Sequence, residues 1–392
     1  MKFSTLTTTL ALTGVSAVSA VSAEHINYTT VTGYFEQDDP ATDPSTYDYT
    51  SHNFGLIDRS YDYESASGSG SDIDVSGLSQ WERFHRQLEY LNKNSPKSVS
   101  YKLFFMGRHG EGWHNAAESY FGTPAWNCYY ALLEGNGTHT WFDADLTPPG
   151  IEQAEIAHAY WLQQYTEHGI RFPDSYYSSP MTRSLKTANI TFATLPLQEA
   201  GAKEFLPTVK EGFREGMSMH TCNHRRSKSY IADLFPAWKF ESGFTEDDEL
   251  WTGTTSEIPE AQDLRSRDAL DDIFAASFVK NQPIQKPSGV CVPPGEKKKN
   301  LIVSITAHSG EITSLLRVVG HQPFRLATGA IIPVLIRAEE IAEELPATTA
   351  VWTASAYCTA PPSTSTASGC VCAGTATPVT SGFPVFATAT AA

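Results

Sequence analysis

Three short stretches of this chain place arginine and histidine side chains where anion chemistry is done. Arg108-His109-Gly110 directly follows Val99 to Met106, an apolar, aromatic-rich run that fits a central strand. Arg183 comes after a second short strand, Asp174 to Tyr177, in the first turn of a helix that Pro180 suits. His308 follows a third apolar, β-branched run, Leu301 to Thr306, and precedes a helix marked by Ile312, Leu315, Leu316 and Val319 at i, i+3, i+4 and i+7. In an open α/β sheet, ligands bind beyond the C-terminal ends of the strands, where loops and helix N-termini offer free N–H groups to anions. Arginines and histidines at such positions imply phosphate chemistry.

The elements that must carry these residues are legible from spacing and caps. Trp81 to Leu91 reads as a helix leading into the first strand. Thr147 is a candidate N-cap with Pro148 at the first helical position, and Ile151, Ala154, Ile156, Ala157, Trp161 and Leu162 approximate an apolar stripe up to His168. Ala330 to Ile336 forms a last strand, with Pro333 placing it towards the sheet edge. Strands alternating with helices give an α/β fold, a mostly parallel central sheet with helices on both faces. The boundaries read as a catalytic domain over 78–345, preceded by a Tyr-, Asp- and Ser-rich arm over 24–77 laid across the core. A loose Ser/Gly segment from Ser65 to Ser71 interrupts that arm as a flexible loop.

Taken together, three motifs resemble a known family. Arg108 to Asn115 matches an R-H-G-E-x-x-x-N form, Leu146 to Ala154 an L-T-x-x-G-x-x-Q-A element, and Ser178 to Thr187 an S-S-P-x-x-R-x-x-x-T motif. These are similar to the histidine phosphatase superfamily, in its phosphoglycerate mutase-like branch. The resemblance implies a phosphoglycerate mutase-like fold whose insertions form a cap. It further implies that His109 is the nucleophile and becomes phosphohistidine, that Arg108 and Arg183 grip the phosphoryl oxygens with planar charged forks, and that His308 adds a donor on the other side. Asn115 is then a neutral donor to the same group. The family places its acid in the insertion after the second arginine, where Arg214-Glu215 matches an Arg-Glu pattern; Glu215 is the expected acid and Glu211 the reserve. His220 to Arg225 resembles an H-T-C-x-x-R segment of fungal-type members and singles out Arg225 as substrate-binding; as a local basic island it could also focus an anionic substrate.

The resulting expectation is a phosphatase that hydrolyses phosphomonoesters through phosphohistidine, without metal or other cofactor. The alternatives are a phosphoglycerate mutase-like phosphotransferase needing a bisphosphate primer, and an inactive surface glycoprotein of the same fold. The long insertions and Ser309-Gly310 depart from the mutase pattern. His109 and His114, with Glu111 and Glu118 nearby, do not form a metal motif, because histidines five apart do not share a helix face as those of H-E-x-x-H do.

Composition bounds the surroundings. With 44 acidic against 28 basic residues and a net charge of −16, the surface as a whole is unsuited to nucleic acid or an anionic membrane. The partner implied is a small phosphorylated substrate; oligomeric state is left open. Residues 1–23 read as a secretory signal ending in overlapping Ala-Val-Ser-Ala units. Sequons at Asn27, Asn136 and Asn189 and an even count of 6 cysteines fit a secreted or cell-wall location. No later run reaches the roughly 18 apolar residues of a membrane span. Residues 346–392 lack charge and are rich in Thr, Ser, Ala and Pro, reading as a disordered, O-glycosylated tail, with a lipid-anchor signal as the competing reading.

Overall fold

The computed structural model describes residues 25–65, 74–278, 300–341, 352–362 and 370–373. The expected signal, most of the Ser/Gly loop, Cys291 and much of the tail lie outside these residues. Strands are β1 His25–Thr30, β2 Val99–Arg108, β3 Ser175–Ser178, β4 Thr208–Val209, β5 Lys239–Phe240, β6 Thr255–Glu257, β7 Ile302–Ala307, β8 Ile331–Ile341 and β9 Trp352–Ala354. Helices are α1 Asp62–Ser65, α2 Gln80–Asn94, α3 Trp113–Phe121, α4 Thr123–Cys128, α5 Pro148–His168, α6 Thr182–Phe192, α7 Lys228–Leu234, α8 Pro259–Phe274 and α9 Ser309–Val318.

The central sheet is ordered β1-β8-β2-β7-β3-β4-β5. From β2 to β5 all pairings are parallel, while β8 runs antiparallel to both β2 and β1. Side-chain alternation along β2 divides the core in two. Leu103 and Phe105 pack against Trp81 and Phe84 of α2 and Trp161 of α5, whereas Phe104 and Met106 pack against Phe274 of α8 and Leu315 of α9. Helices therefore cover both faces, as the strand–helix alternation requires. Emptying one such position, Phe105→Ala for instance, typically costs about 3–5 kcal/mol.

The helix starts follow their local signals. Ser79 caps α2 by accepting from the Glu82 amide while the Glu82 carboxylate returns to the Ser79 amide. Thr147 caps α5 by accepting from Gly150 N at 3.2 Å. The apolar stripe of α5 is only partly as expected: Ala154, Ala157 and Trp161 are buried, but Ile151, Ile156 and Leu162 are exposed and Tyr160 and Gln164 face inward instead. Gln164 is admitted to the core because Trp81 Nε1 donates to its Oε1 at 3.1 Å.

Strand β8 is not an edge, contrary to the expectation drawn from Pro333. The N-terminal segment supplies β1, which covers the outer side of β8 as far as the Thr30–Ile336 pair. Leu335 O faces that side, accepting from Val31 N at 2.8 Å. By the two-residue alternation Pro333 faces the same side, beyond the end of β1, so its missing N–H breaks no ladder bond.

Two insertions stand over one end of the sheet, residues 113–146 and 209–257. They are joined where Cys222 packs against Trp126 and Trp141. The C-terminal segment closes them. Residues 352–362 and 370–373, expected within a disordered tail, are ordered: β9 pairs antiparallel with β6, Tyr357 packs on Leu132 and Met219, and disulfides link Cys128–Cys370 and Cys358–Cys372. An uncharged Thr/Ser composition carries no core of its own, but a covalent tie to α4 and a ladder on β6 give it one. Cys222 is a buried free thiol among the described residues.

Candidate active site

Strands β2, β7 and β3 are adjacent and parallel, so the loops leaving their C-terminal ends converge. His109 leaves β2 with its amide still donating to Ala307 O at 3.0 Å, and Ser179 N donates to Thr306 O at 3.0 Å beside it. Arg108 and His109, Arg183, and His308 are therefore delivered to one place by three separate strand-to-helix turns.

The loop after β2 is held by the other two motifs. A Cβ on Gly110 would lie 2.1 Å from Gly150 O, and one on Gly150 would lie 2.0 Å from Glu111 O. The loop backbone thus presses directly on the first turn of α5, which only paired glycines permit. Gln153 Oε1 accepts from Glu111 N at 2.8 Å. Thr187 Oγ1 accepts from Gly110 N at 3.0 Å and donates to Arg183 O at 2.7 Å. Thr187, to which sequence reasoning assigned no role, ties the His109 loop to the helix that bears Arg183.

His109 is 2% exposed. Its Nδ1 lies 2.6 Å from Gly110 O, and a carbonyl can only accept, so Nδ1 carries the proton and Nε2 keeps its lone pair. Arg183 Nε donates to that Nε2 at 3.3 Å. Burial, followed by the Arg183 and Arg108 charges, drives the His109 pKa well below the usual imidazole value, so the ring is neutral. A neutral imidazole with a fixed tautomer and an unprotonated Nε2 is a competent nucleophile.

Around it stand the other expected groups. Arg183, 1% exposed, also donates from Nη1 to Cys222 O at 2.9 Å, so the cap insertion itself aims the guanidinium. The N-terminus of α6 is capped from the cap as well: buried Asp143 accepts from Thr182 N at 2.8 Å and from Thr182 Oγ1 at 2.7 Å. Arg108 donates Nη1 to Leu326 O at 2.8 Å and leaves Nε buried without a partner. The ring of His308 lies 5.0 Å from that of His109, and its Nε2 is 2.8 Å from Ser179 Oγ. Burial and then Arg183 keep His308 neutral too.

Glu215 is brought to the site and Glu211 is not. The Glu215 carboxylate accepts from Gly310 N at 3.1 Å and from Gly216 N at 2.9 Å, at the N-terminus of α9. A Cβ on Gly310 would lie 2.2 Å from Glu215 Oε1, so the Ser309-Gly310 departure from the mutase pattern makes the room for this carboxylate. Glu211 is instead ion-paired to Arg225 Nε at 2.6 Å and to Arg214 Nη1 at 3.2 Å.

One expected substrate contact, Arg225, is corrected. Arg225, 1% exposed, has every N–H committed: Nε to Glu211, Nη1 to the carbonyls of Arg226 and Glu246, Nη2 to Thr245 and the Asp247 carbonyl. It stacks over Phe244 at 4.4 Å and is a hub of the insertion with nothing left for a ligand. Asn115 turns its side-chain oxygen back to Gly112 N at 3.0 Å, capping α3. The residue beside it, His114, lies in the cluster instead, its ring 5.4 Å from that of His109. The five-residue spacing from His109 was the available signal, set aside because it fits no metal motif. No described helix is long and apolar enough to cross a membrane.

No family model matches the chain. It is 42% identical over 334 residues to a protein of Arthroderma benhamiae named "Probable phosphoglycerate mutase", covering 85% of this chain and 90% of that one. It is 35% identical over 350 residues to "Phosphomutase-like protein 3" of Candida albicans, covering 87% and 92% respectively. Among solved structures, a phosphoglycerate mutase from Bacillus anthracis aligns at a TM-score of 0.36 and 14% identity, covering 63% of this chain and 95% of that one, a likeness too slight to add weight. With Arg108, His109, Arg183 and His308 gathered on one sheet end and relatives this similar over most of their length, the chain belongs to the phosphoglycerate mutase-like family of the histidine phosphatase superfamily.

Proposed function

We propose that the protein hydrolyses phosphomonoesters through a phosphohistidine on His109. The observation that carries this reading is the neutral, tautomer-fixed imidazole whose Nε2 lone pair is met by the buried Arg183 guanidinium, with the Arg108 charge close by. When a phosphomonoester enters, the Arg183 Nε–H now aimed at Nε2 turns to a phosphoryl oxygen, and Arg108 and His308 add donors. Nε2 then attacks phosphorus as the bond to the alcohol oxygen breaks, and Glu215 gives its proton to that oxygen. Water next attacks phosphorus; the P–N bond breaks, Glu215 recovers a proton from the water, and phosphate leaves. No metal is invoked in this scheme.

The experiment is to mix the protein with a radiolabelled phosphomonoester, quench in alkali and map the label. Acid-labile phosphate on the peptide containing His109, absent from His109→Ala, is the expected result. Absence of any labelled histidine together with absence of phosphate release across a broad ester panel overturns it. The names of the relatives favour a second reading, transfer of the phosphoryl group between positions of a sugar phosphate. A requirement for a bisphosphate primer separates that reading from hydrolysis, which needs none.

We also propose that the protein is secreted or held in a cell wall. The N-terminal signal pattern and the sequons support this, and the two disulfides suit an oxidising compartment. Recovery of active, glycosidase-sensitive protein from culture medium or wall extracts is the expected outcome; retention in the cytosol is the contrary one.

A further inference from the structure

The cluster contains a histidine that neither the family motifs nor the proposed reaction uses. His114 sits in the first turn of α3, 9% exposed, its ring 5.4 Å from that of His109 and tilted by 50°. Its Nδ1 is buried with no hydrogen-bond partner. His308 likewise leaves Nδ1 without a partner but is held through Nε2 by Ser179 Oγ, and both nitrogens of His109 are engaged. The ring is given its place by Gly112, where a Cβ would lie 2.7 Å from His114 Nδ1. A buried, unpartnered ring nitrogen is costly in a folded chain unless something else repays it, and the nearest chemistry is a site built for a phosphoryl dianion.

We propose that His114 is a third phosphate-facing histidine, which takes up a proton as a phosphoryl dianion enters and donates the resulting N–H to it. The inference rests on the phosphoester reading of the site. The groups facing His114 are Arg108 and His109 at the end of β2, Arg183 on α6 and His220 from the cap; the carboxylates Glu118 and Glu215 lie towards Arg108. In the free protein burial, then the Arg183 and Arg108 charges, keep the imidazole neutral. A dianion reverses the sign of the field at the ring, so the ring gains a proton from solvent and changes from an idle group into a charge-assisted donor. The gain would be selective for dianionic phosphoryl groups over singly charged carboxylates or sulfate esters.

The test uses inorganic phosphate as the probe and calorimetry near pH 7.5 in buffers of different ionisation enthalpy, with wild type, His114→Phe and His114→Gln. Wild type is expected to bind phosphate with proton uptake. His114→Phe should bind about 10- to 100-fold more weakly, the scale of one hydrogen bond to a charged group, and take up about one proton fewer. His114→Gln should regain part of the affinity but not the proton. In ligand-free protein the thermal midpoint of His114→Phe should hold or rise, since an unpartnered nitrogen has gone; a merely structural histidine would show a fall instead, with phosphate binding by the folded fraction unchanged. Equal affinity and equal proton uptake in all three overturns the role of His114 while leaving the phosphate site intact. If wild type itself fails to bind phosphate, the phosphoester reading falls first and this inference falls with it.

Discussion

Two buried arginine clusters in this protein look alike in sequence and differ in what surrounds them. Arg214 and Arg225 are enclosed by Asp248 and Glu211: Arg214 holds Asp248 through both carboxylate oxygens at 2.7 Å, and Arg225 holds Glu211 at 2.6 Å. Formal charge in that cluster cancels. Arg108 and Arg183 are instead surrounded by the neutral imidazoles of His109, His114 and His308, with Glu215 as the nearby acid and buried nitrogens left without partners on Arg108, His114 and His308. A charge-balanced cluster holds the fold together, even with Arg214 Nε buried without a partner, whereas one left with excess positive charge is arranged for a ligand.

The sharpest test of this contrast lies in the nucleophile. His109→Ala should lower phosphoester turnover by about 10⁶, the scale seen when a covalent nucleophile is removed, with little change in the urea midpoint. Initial rates on a generic phosphomonoester measure it, and a loss under tenfold would break the functional half of the comparison. The charge-balanced cluster should respond the other way round. Asp248→Ala strands Arg214 in the interior and should cost about 3–5 kcal/mol in urea unfolding, while the folded fraction keeps its rate within a few-fold. A raised KM at unchanged stability would mean that this cluster, too, meets substrate.

Glu215→Gln keeps the shape and one of the two backbone hydrogen bonds but removes the proton, so steady-state turnover should fall by about 10² to 10⁴. A substrate whose leaving group needs no proton should recover much of that loss. If both substrates slow equally, Glu215 is not the acid.

The smallest effect per step is in pH. Burial holds His85 down to about 3 and His220 to about 4, and also keeps His109, His114 and His308 well below the ordinary value. The unfolded chain then binds more protons than the folded one below about pH 6.5, so stability is fully present above that pH and is lost as pH falls through the folded values. Each such histidine adds a slope of up to about 1.4 kcal/mol per pH unit. Asp248 behaves differently in degree. Burial opposes its charge, yet Arg214 holds its carboxyl down to about 2, so its contribution is lost only below the ordinary carboxyl range. Urea midpoints at pH 7.5, 6 and 5 should therefore fall from the histidine cluster first, and a flat profile over that range would contradict neutral burial of these rings.

What the chain determined by itself was local. Apolar runs of strand length, Thr147 as a cap and Pro148 at a helix start depend on near neighbours, so the strand–helix order and the loops bearing His109, Arg183 and His308 could be read directly. What only the tertiary structure decided was which polar groups are already spoken for. Arg225 is saturated by Glu211 and by residues 245–247, the Asn115 side-chain oxygen is taken by its own helix turn, and neither fact has a periodic signature. The same holds for the C-terminal segment, whose composition reads as disorder but which pairs with β6 and bonds to Cys128 across 242 positions. Side-chain type states what a residue can donate or accept; only packing states whether a partner is already there.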